Sequence, residues 1–201
     1  KNGLPYLDVV RGMVIPDRST QVASLRSGAI DFIYAVPTPI ATALKGQRGI
    51  ALDSCPGVAS IPARIYSDTT KPPFNDVRVR RAVQMAMDRE GMVNAILMGQ
   101  GVTGPHYSPQ IDPYWVGWDE LPPEVAQWAK YDPQRARQLL AEAGYPKGFD
   151  AVIKFNTGYG SPFPELAEAV VGLLRDIGIN AKPRYLTPIE FAGFTNSGDF
   201  G

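Results

Sequence analysis

The apolar positions of this chain repeat with two different periods. Residues 6–15, YLDVVRGMVI, are rich in Val and Ile and predict a strand that Pro16 stops. Asp17 can cap a helix running to about Ser27, and Gly28 suits the position just past its end. AIDFIYAV, 29–36, predicts a second strand, so the opening reads as a strand, helix, strand crossover with parallel pairing. Short strands are also expected at 49–52 and 61–66, with a short helix near 41–45 behind Pro37 and Pro39.

From Asp76 onward the period becomes helical. Val79, Ala82, Val83, Ala86 and Met87 fall at i, i+3, i+4, i+7 and i+8, one apolar stripe of a helix that Asp76 caps. Asp88 can cap a second helix, 89–98, burying Met92, Val93, Ile96 and Leu97, with Gly99 ending it. Asp132 and Pro133 open a further helix whose stripe is Ala136, Leu139, Leu140 and Ala143. DAVIKF, 150–155, predicts a strand leading into NTGYGSPFP, 156–164. A helix follows with Leu166, Val170, Leu173, Leu174 and Ile177 on one face, and Gly178 ends it. INAKPRYL, 179–186, predicts a last strand, and Thr187 with Pro188 starts a short helix through about Phe194. Alternation of this kind predicts an α/β fold, a mixed and mostly parallel sheet flanked by helices.

The 201 residues carry 20 Lys and Arg against 20 Asp and Glu, so the chain as a whole does not attract a polyanion or an anionic membrane. The stretch PPFNDVRVRRAVQMAMDRE, 72–90, concentrates four arginines, yet at about 100° per residue Arg78 and Arg80 flank the apolar stripe on opposite sides and Arg81 points away from it. They make a solvated surface rather than one basic face, with Asp76 and Arg80 at a favourable i, i+4 spacing. The helix pair resembles a helix-turn-helix in outline only. Its second helix carries one arginine and one glutamate, too little for phosphate contacts and base readout. Residues 91–111 lack charge apart from His106 but include too many Gly, Pro and polar residues for a membrane span. Lys1 opens without a charged and apolar leader, so any export signal would lie outside this sequence.

Catalytic chemistry is thinly supplied. His106 is the only histidine and Cys55 the only cysteine, which excludes an internal disulfide and a multi-cysteine metal site. GYGSP lacks the second glycine of a nucleophile elbow, and Phe163 stands where a dinucleotide-binding fingerprint needs its third glycine. A small hydrolase-like enzyme would have to rely on His106 or Ser161. The segment 101–123 has no period but holds Tyr107, Tyr114 and Trp115, an aromatic excursion of the length that functional loops have. NTGYGSPFP is the better site. In open α/β sheets ligands bind outside the carboxyl ends of strands, where a helix N-terminus presents free N–H groups. Asn156 offers a donor and an acceptor, Tyr159 an aromatic surface, and the glycines close backbone approach.

Four segments in order resemble one family: YLDVVRGMVIPDRSTQVASLRSGAIDF, PPFNDVRVRRAVQMAMDREGMVNAILMGQG, YDPQRARQLLAEAGYPKGFD and LAEAVVGLLRDIGINAKPRYLTPIEF. Together they are similar to the extracellular solute-binding proteins of ABC importers, the family 5 group that takes dipeptides, oligopeptides and nickel. The resemblance implies a type II periplasmic-binding-protein clamp of which residues 1–201 are the second lobe, the first lobe being absent. It implies a non-catalytic role with no cofactor, a periplasmic or extracellular location tied to the membrane through the full-length protein, and a permease partner. A small solute or peptide would be held between the lobes by Asn156, Thr157, Gly158 and Tyr159. Tyr107, Tyr114 and Trp115 would add contacts, and Arg64 could meet a carboxylate. The isolated lobe would also be prone to self-association, since its cleft and hinge edge would be uncovered.

Overall fold

A computed structural model describes residue 3 and residues 6–53, 63–104 and 116–198. They belong to two compact units, Lys1–Leu52 and Asp53–Gly201.

In the first unit the helices form where their caps place them. Helix α1 spans Arg18–Ser27, with Asp17 accepting from the Thr20 N–H at 2.8 Å and Gly28 left-handed at φ 74° behind it. Helix α2 spans Thr38–Leu44. The strands expected at 6–15, 29–36 and 49–52 do not form, and no crossover unit results. Local geometry accounts for two of these. The Ala29 and Ile30 N–H groups are taken by the Ser24 carbonyl, and Ala35 at φ 55° breaks the extended run. Ile50 donates to Gln47 in a turn beside Gly49 at φ 80°. In 6–15 the β-branched side chains lie open, Val10 at 80% and Val14 at 94% exposure. Strand propensity is a fit to a pleated, half-buried surface, and these residues find none among the described residues. Residues 63–66, the described part of the strand expected at 61–66, are likewise exposed and irregular.

The second unit holds the sheet. Its helices are α3 (Val77–Ala86), α4 (Arg89–Ile96), α5 (Pro123–Ala126) followed by a 3-10 turn (Gln127–Ala129), and α6 (Pro133–Glu142). Strand β1 (Phe149–Asn156), helix α7 (Phe163–Asp176) and strand β2 (Ile179–Leu186) make one parallel crossover, and α8 (Pro188–Ser197) closes the chain. The result is α/β, a small parallel sheet flanked by helices. The core joins Val79, Ala82 and Ala86 of α3, Ala136, Leu139 and Leu140 of α6, Val171 and Leu174 of α7, Ile177 at its C-terminal cap, and Ile179 and Ala181 of β2. Each of these is buried, and the apolar stripes read from sequence supply most of them. Helix α4 departs from its expectation. It ends at Ile96, and Met92, Val93, Ile96 and Leu97 are only half-buried.

The arginines of 72–90 are staples rather than a charged face. Asp76 caps α3 and pairs with Arg78 at 2.6 Å, not with Arg80. Arg78 also donates to the Glu142 carbonyl at the end of α6, at 2.5 Å. Arg80 donates to the Phe74 carbonyl at 2.7 Å, and Arg81 stacks on Trp128, 4.2 Å from the ring centroid. The half-buried Arg89 reaches the carbonyls of Gln84, Met87 and Ala129, each at 3.3 Å. Burial pulls its guanidinium down from the ordinary arginine value. These guanidinium groups donate to carbonyls at helix ends and turns, where the Gln84 and Met87 carbonyls also accept a backbone N–H.

The register of the strand pair is set at one point. Gly148, at φ 72°, precedes β1 and Gly178, at φ 97°, precedes β2; a Cβ on Gly148 would lie 1.7 Å from the Gly178 carbonyl oxygen. Phe149 then pairs with Ile179, and six further pairs follow before Asn156 meets Leu186.

Two outcomes follow. Urea denaturation should find Gly148→Ala destabilised by about 3 kcal/mol, combining a disfavoured φ with a backbone clash. Gly172→Ala, inside α7 with open space around it, should gain about 1 kcal/mol. Asp76 gives a pH signature. Hydrogen bonds from the Arg78 side chain and backbone lower its pKa from 3.8 to about 2. A depressed carboxylate contributes stability that is complete above 3.8 and is lost as pH falls toward 2. Thermal melts of Asp76→Asn should therefore sit below the unsubstituted chain above pH 4, with the gap closing toward about pH 2.

Candidate ligand-binding site

The carboxyl ends of the two strands are tied together before the chain turns away. The Thr157 hydroxyl donates to the Leu186 carbonyl at 3.0 Å, so the turn Thr157–Tyr159 is pinned to the end of β2. Asn156 Oδ1 accepts from the Gly158 N–H at 2.8 Å. Its acceptor is thus committed internally, while its NH₂ group makes no hydrogen bond among the described residues and remains a donor for a guest. Gly158 is required by closeness: a Cβ there would lie 2.6 Å from Pro188 Cγ at the start of α8. Tyr159 leaves 47% of its surface exposed and leans on Phe163, ring centroids 5.2 Å apart.

The start of α7 differs from the expected donor-rich helix end. Pro164 has no N–H, the Phe163 N–H already donates to the Gly160 carbonyl at 3.0 Å, and Glu165 places a carboxylate in the first turn. Ser161 donates to that carboxylate at 3.0 Å, a side-chain contact across the first turn that caps no backbone N–H. The favourable partner of this helix end is a neutral or donor group, not an anion. Of the other candidates, Arg64 stands on the exposed segment 63–66 instead of a strand, and Tyr107, Tyr114, Trp115 and His106 lie outside the described residues.

Two hollows escaped the sequence reading. One, about 340 Å³, lies between the start of α4 and residues 117–131 and is lined by Arg89, Trp118 and Tyr131 together with Asp88, Glu90 and Asp119. The other, about 160 Å³, lies beside the candidate loop on the opposite sheet face from the core, lined by Lys154, Arg184, Leu186, Glu190 and Phe194. The alternation Val152, Lys154, Asn156 in β1 and Lys182, Arg184, Leu186 in β2 was the signal for that second face. Thr187 and Glu190 form a reciprocal capping box that starts α8. Hydrogen bonds from the Thr187 N–H and hydroxyl hold the Glu190 carboxyl below its ordinary range, and Arg184 adds attraction.

The geometry is that of a strand-end loop presenting backbone, amide and aromatic groups. Residues 1–201 match the family model described as bacterial extracellular solute-binding proteins, family 5, middle. The chain belongs to family 5 of these solute-binding proteins. Heme-binding protein A of Haemophilus influenzae is 32% identical over 184 residues, 90% of this chain and 32% of that protein. Glutathione-binding protein GsiB of Escherichia coli is 28% identical over 180 residues, 90% of this chain and 33% of that one. Among solved structures, the periplasmic binding protein DppA of Helicobacter pylori in complex with the peptide STSA superposes with a TM-score of 0.72 at 25% identity, over 92% of this chain and 34% of that one. The chain therefore spans about a third of the length of the family 5 relatives it matches. The fold expected from the resemblance is that of the DppA periplasmic binding protein.

The capping box of α8 is the nearest support of the loop, through Pro188 against Gly158. Thr187→Ala should cost about 1 kcal/mol in a denaturant titration. Gly158→Ala should cost about 1–3 kcal/mol and displace the loop, seen as altered amide shifts confined to 156–160 and the start of α8.

Proposed function

We propose that residues 1–201 form the second lobe of a two-lobed, non-catalytic clamp that captures a peptide or related small solute and delivers it to a membrane permease. The observation that carries this reading is the pinned loop Asn156–Tyr159 at the carboxyl end of a parallel strand pair in a family 5 chain. Family 5 proteins are extracellular, and the importer's membrane complex would be met through the rest of the protein. In the proposed mechanism the Asn156 amide donates to a carbonyl of the guest. The Gly160 backbone, with open space around it, allows close approach beside Gly158, which is packed against Pro188, and Tyr159 covers an apolar portion. Tyr107, Tyr114, Trp115 and Arg64 are proposed as outer contacts. Closure against the other lobe would exclude water and supply the remaining contacts, so the lobe by itself binds weakly. A second reading concerns the isolated chain: with Val10 and Val14 exposed beside Tyr6, Leu7, Val9 and Met13, it self-associates as concentration rises.

Titrating Met-Leu dipeptide and, separately, glutathione into the isotope-labelled chain tests the first reading by NMR. Shift changes should concentrate at 156–160, and Asn156→Ala with Tyr159→Ala should weaken them about tenfold, without new product resonances. Peptide hydrolysis, or shifts that ignore the two substitutions, would contradict it. Light scattering over a dilution series checks the second reading, with a mass that rises with concentration expected and a constant monomer mass contradicting it.

A further inference from the structure

We propose that the sheet face beside α8 holds a small oxyanion, a phosphate or carboxylate group, between Lys154 and Arg184. The two are register partners on adjacent parallel strands. Strands in a sheet lie about 4.8 Å apart, so both cationic side chains leave from neighbouring points on the same face. Like charges placed opposite each other in a sheet are destabilising. Lys182, two residues before Arg184, adds a third cation to that face.

Little within the protein offsets this. Lys154 Nζ lies 4.0 Å from the centroid of the Phe194 ring, a partial compensation. Arg184 makes no hydrogen bond or ion pair among the described residues, and its offset within the hollow is the longer-range attraction of Glu190. Glu190 is the one carboxylate lining the hollow, and its Oε2 already accepts from the Thr187 N–H and hydroxyl, each at 2.8 Å. Asp150 sits at the far end of the face, bonded to Asn180 at 2.6 Å. The balance at the hollow is two cations against one engaged carboxylate. Its volume, about 160 Å³, exceeds the ~30 Å³ share of a single water, so an oxyanion has room. There it would accept charge-assisted hydrogen bonds from the planar Arg184 fork and from Lys154, and relieve their repulsion. The inference rests on the strand register and the charge balance, and does not depend on what the Asn156–Tyr159 loop binds.

The test uses the 201-residue chain, isotope-labelled, with inorganic phosphate and sodium acetate titrated separately while chloride holds ionic strength constant. Saturable shifts at residues 154, 184 and 186 and at the Arg184 side-chain N–H, with phosphate, acetate or both, are the expected result. Arg184→Gln should lower the affinity at least tenfold, and Lys154→Met with Arg184→Gln should abolish saturation. The same anion should raise the melting temperature of the unsubstituted chain and leave that of the double variant unchanged. Shifts that fail to saturate, or an affinity that survives Arg184→Gln, would overturn the proposal. If the double variant does not fold, the single variant's affinity decides.

Discussion

Gly148 and Gly178 stand back to back where the two strands begin, and the rest of the second unit depends on that contact. Each is left-handed, and a side chain on Gly148 would run into the Gly178 carbonyl. With both glycines in place, Phe149 and Ile179 start in step and the pairing stays in register to Asn156 and Leu186. A parallel pair slipped by one residue would turn Ile179 and Ala181 away from the core and bring Asn180 and Lys182 into it. The same register delivers Thr157 to the Leu186 carbonyl, which is how a choice made at the amino ends of the strands fixes the loop at their carboxyl ends.

Helix ends in this unit are completed by arginine more than by glycine alone. Arg78 reaches the last turn of α6, Arg89 the last turn of α3, and Arg137 the Asp176 carbonyl at the end of α7, at 2.8 Å. A guanidinium group suits this work because it carries several donors and a charge that complements the negative end of the helix dipole. A stretch that looks basic in one dimension is thus consumed by architecture in three.

The helices were legible in the sequence because their signals are local. Asp17, Asp76, Asp88, Asp132 and Thr187 each cap the helix they were expected to cap, and each does so through its own side chain. The strand pair 149–156 and 179–186 was legible because a helix with a clear stripe separates its members. The strands expected at 6–15, 29–36 and 49–52 were misread because a ladder partner is a nonlocal fact that composition does not carry, and because Ala35 and Gly49 turn the backbone out of the extended region. At the candidate site the loop's position was readable, while its internal hydrogen bonding was not: nothing in NTGYGSPFP announces that Asn156 spends its acceptor on Gly158. The cationic hollow was missed for a similar reason, since Lys154 and Arg184 are thirty residues apart and meet only through register.

The guest is proposed to sit at the pinned turn, with the core helices as a fixed support. Amide hydrogen exchange of the chain, with and without a saturating peptide, tests that most directly. Slower exchange at Gly158, Tyr159 and Gly160, with α3 and α6 unchanged, is the predicted pattern. Protection centred on the hollow around Arg89 and Trp118, with the turn unaffected, would contradict it.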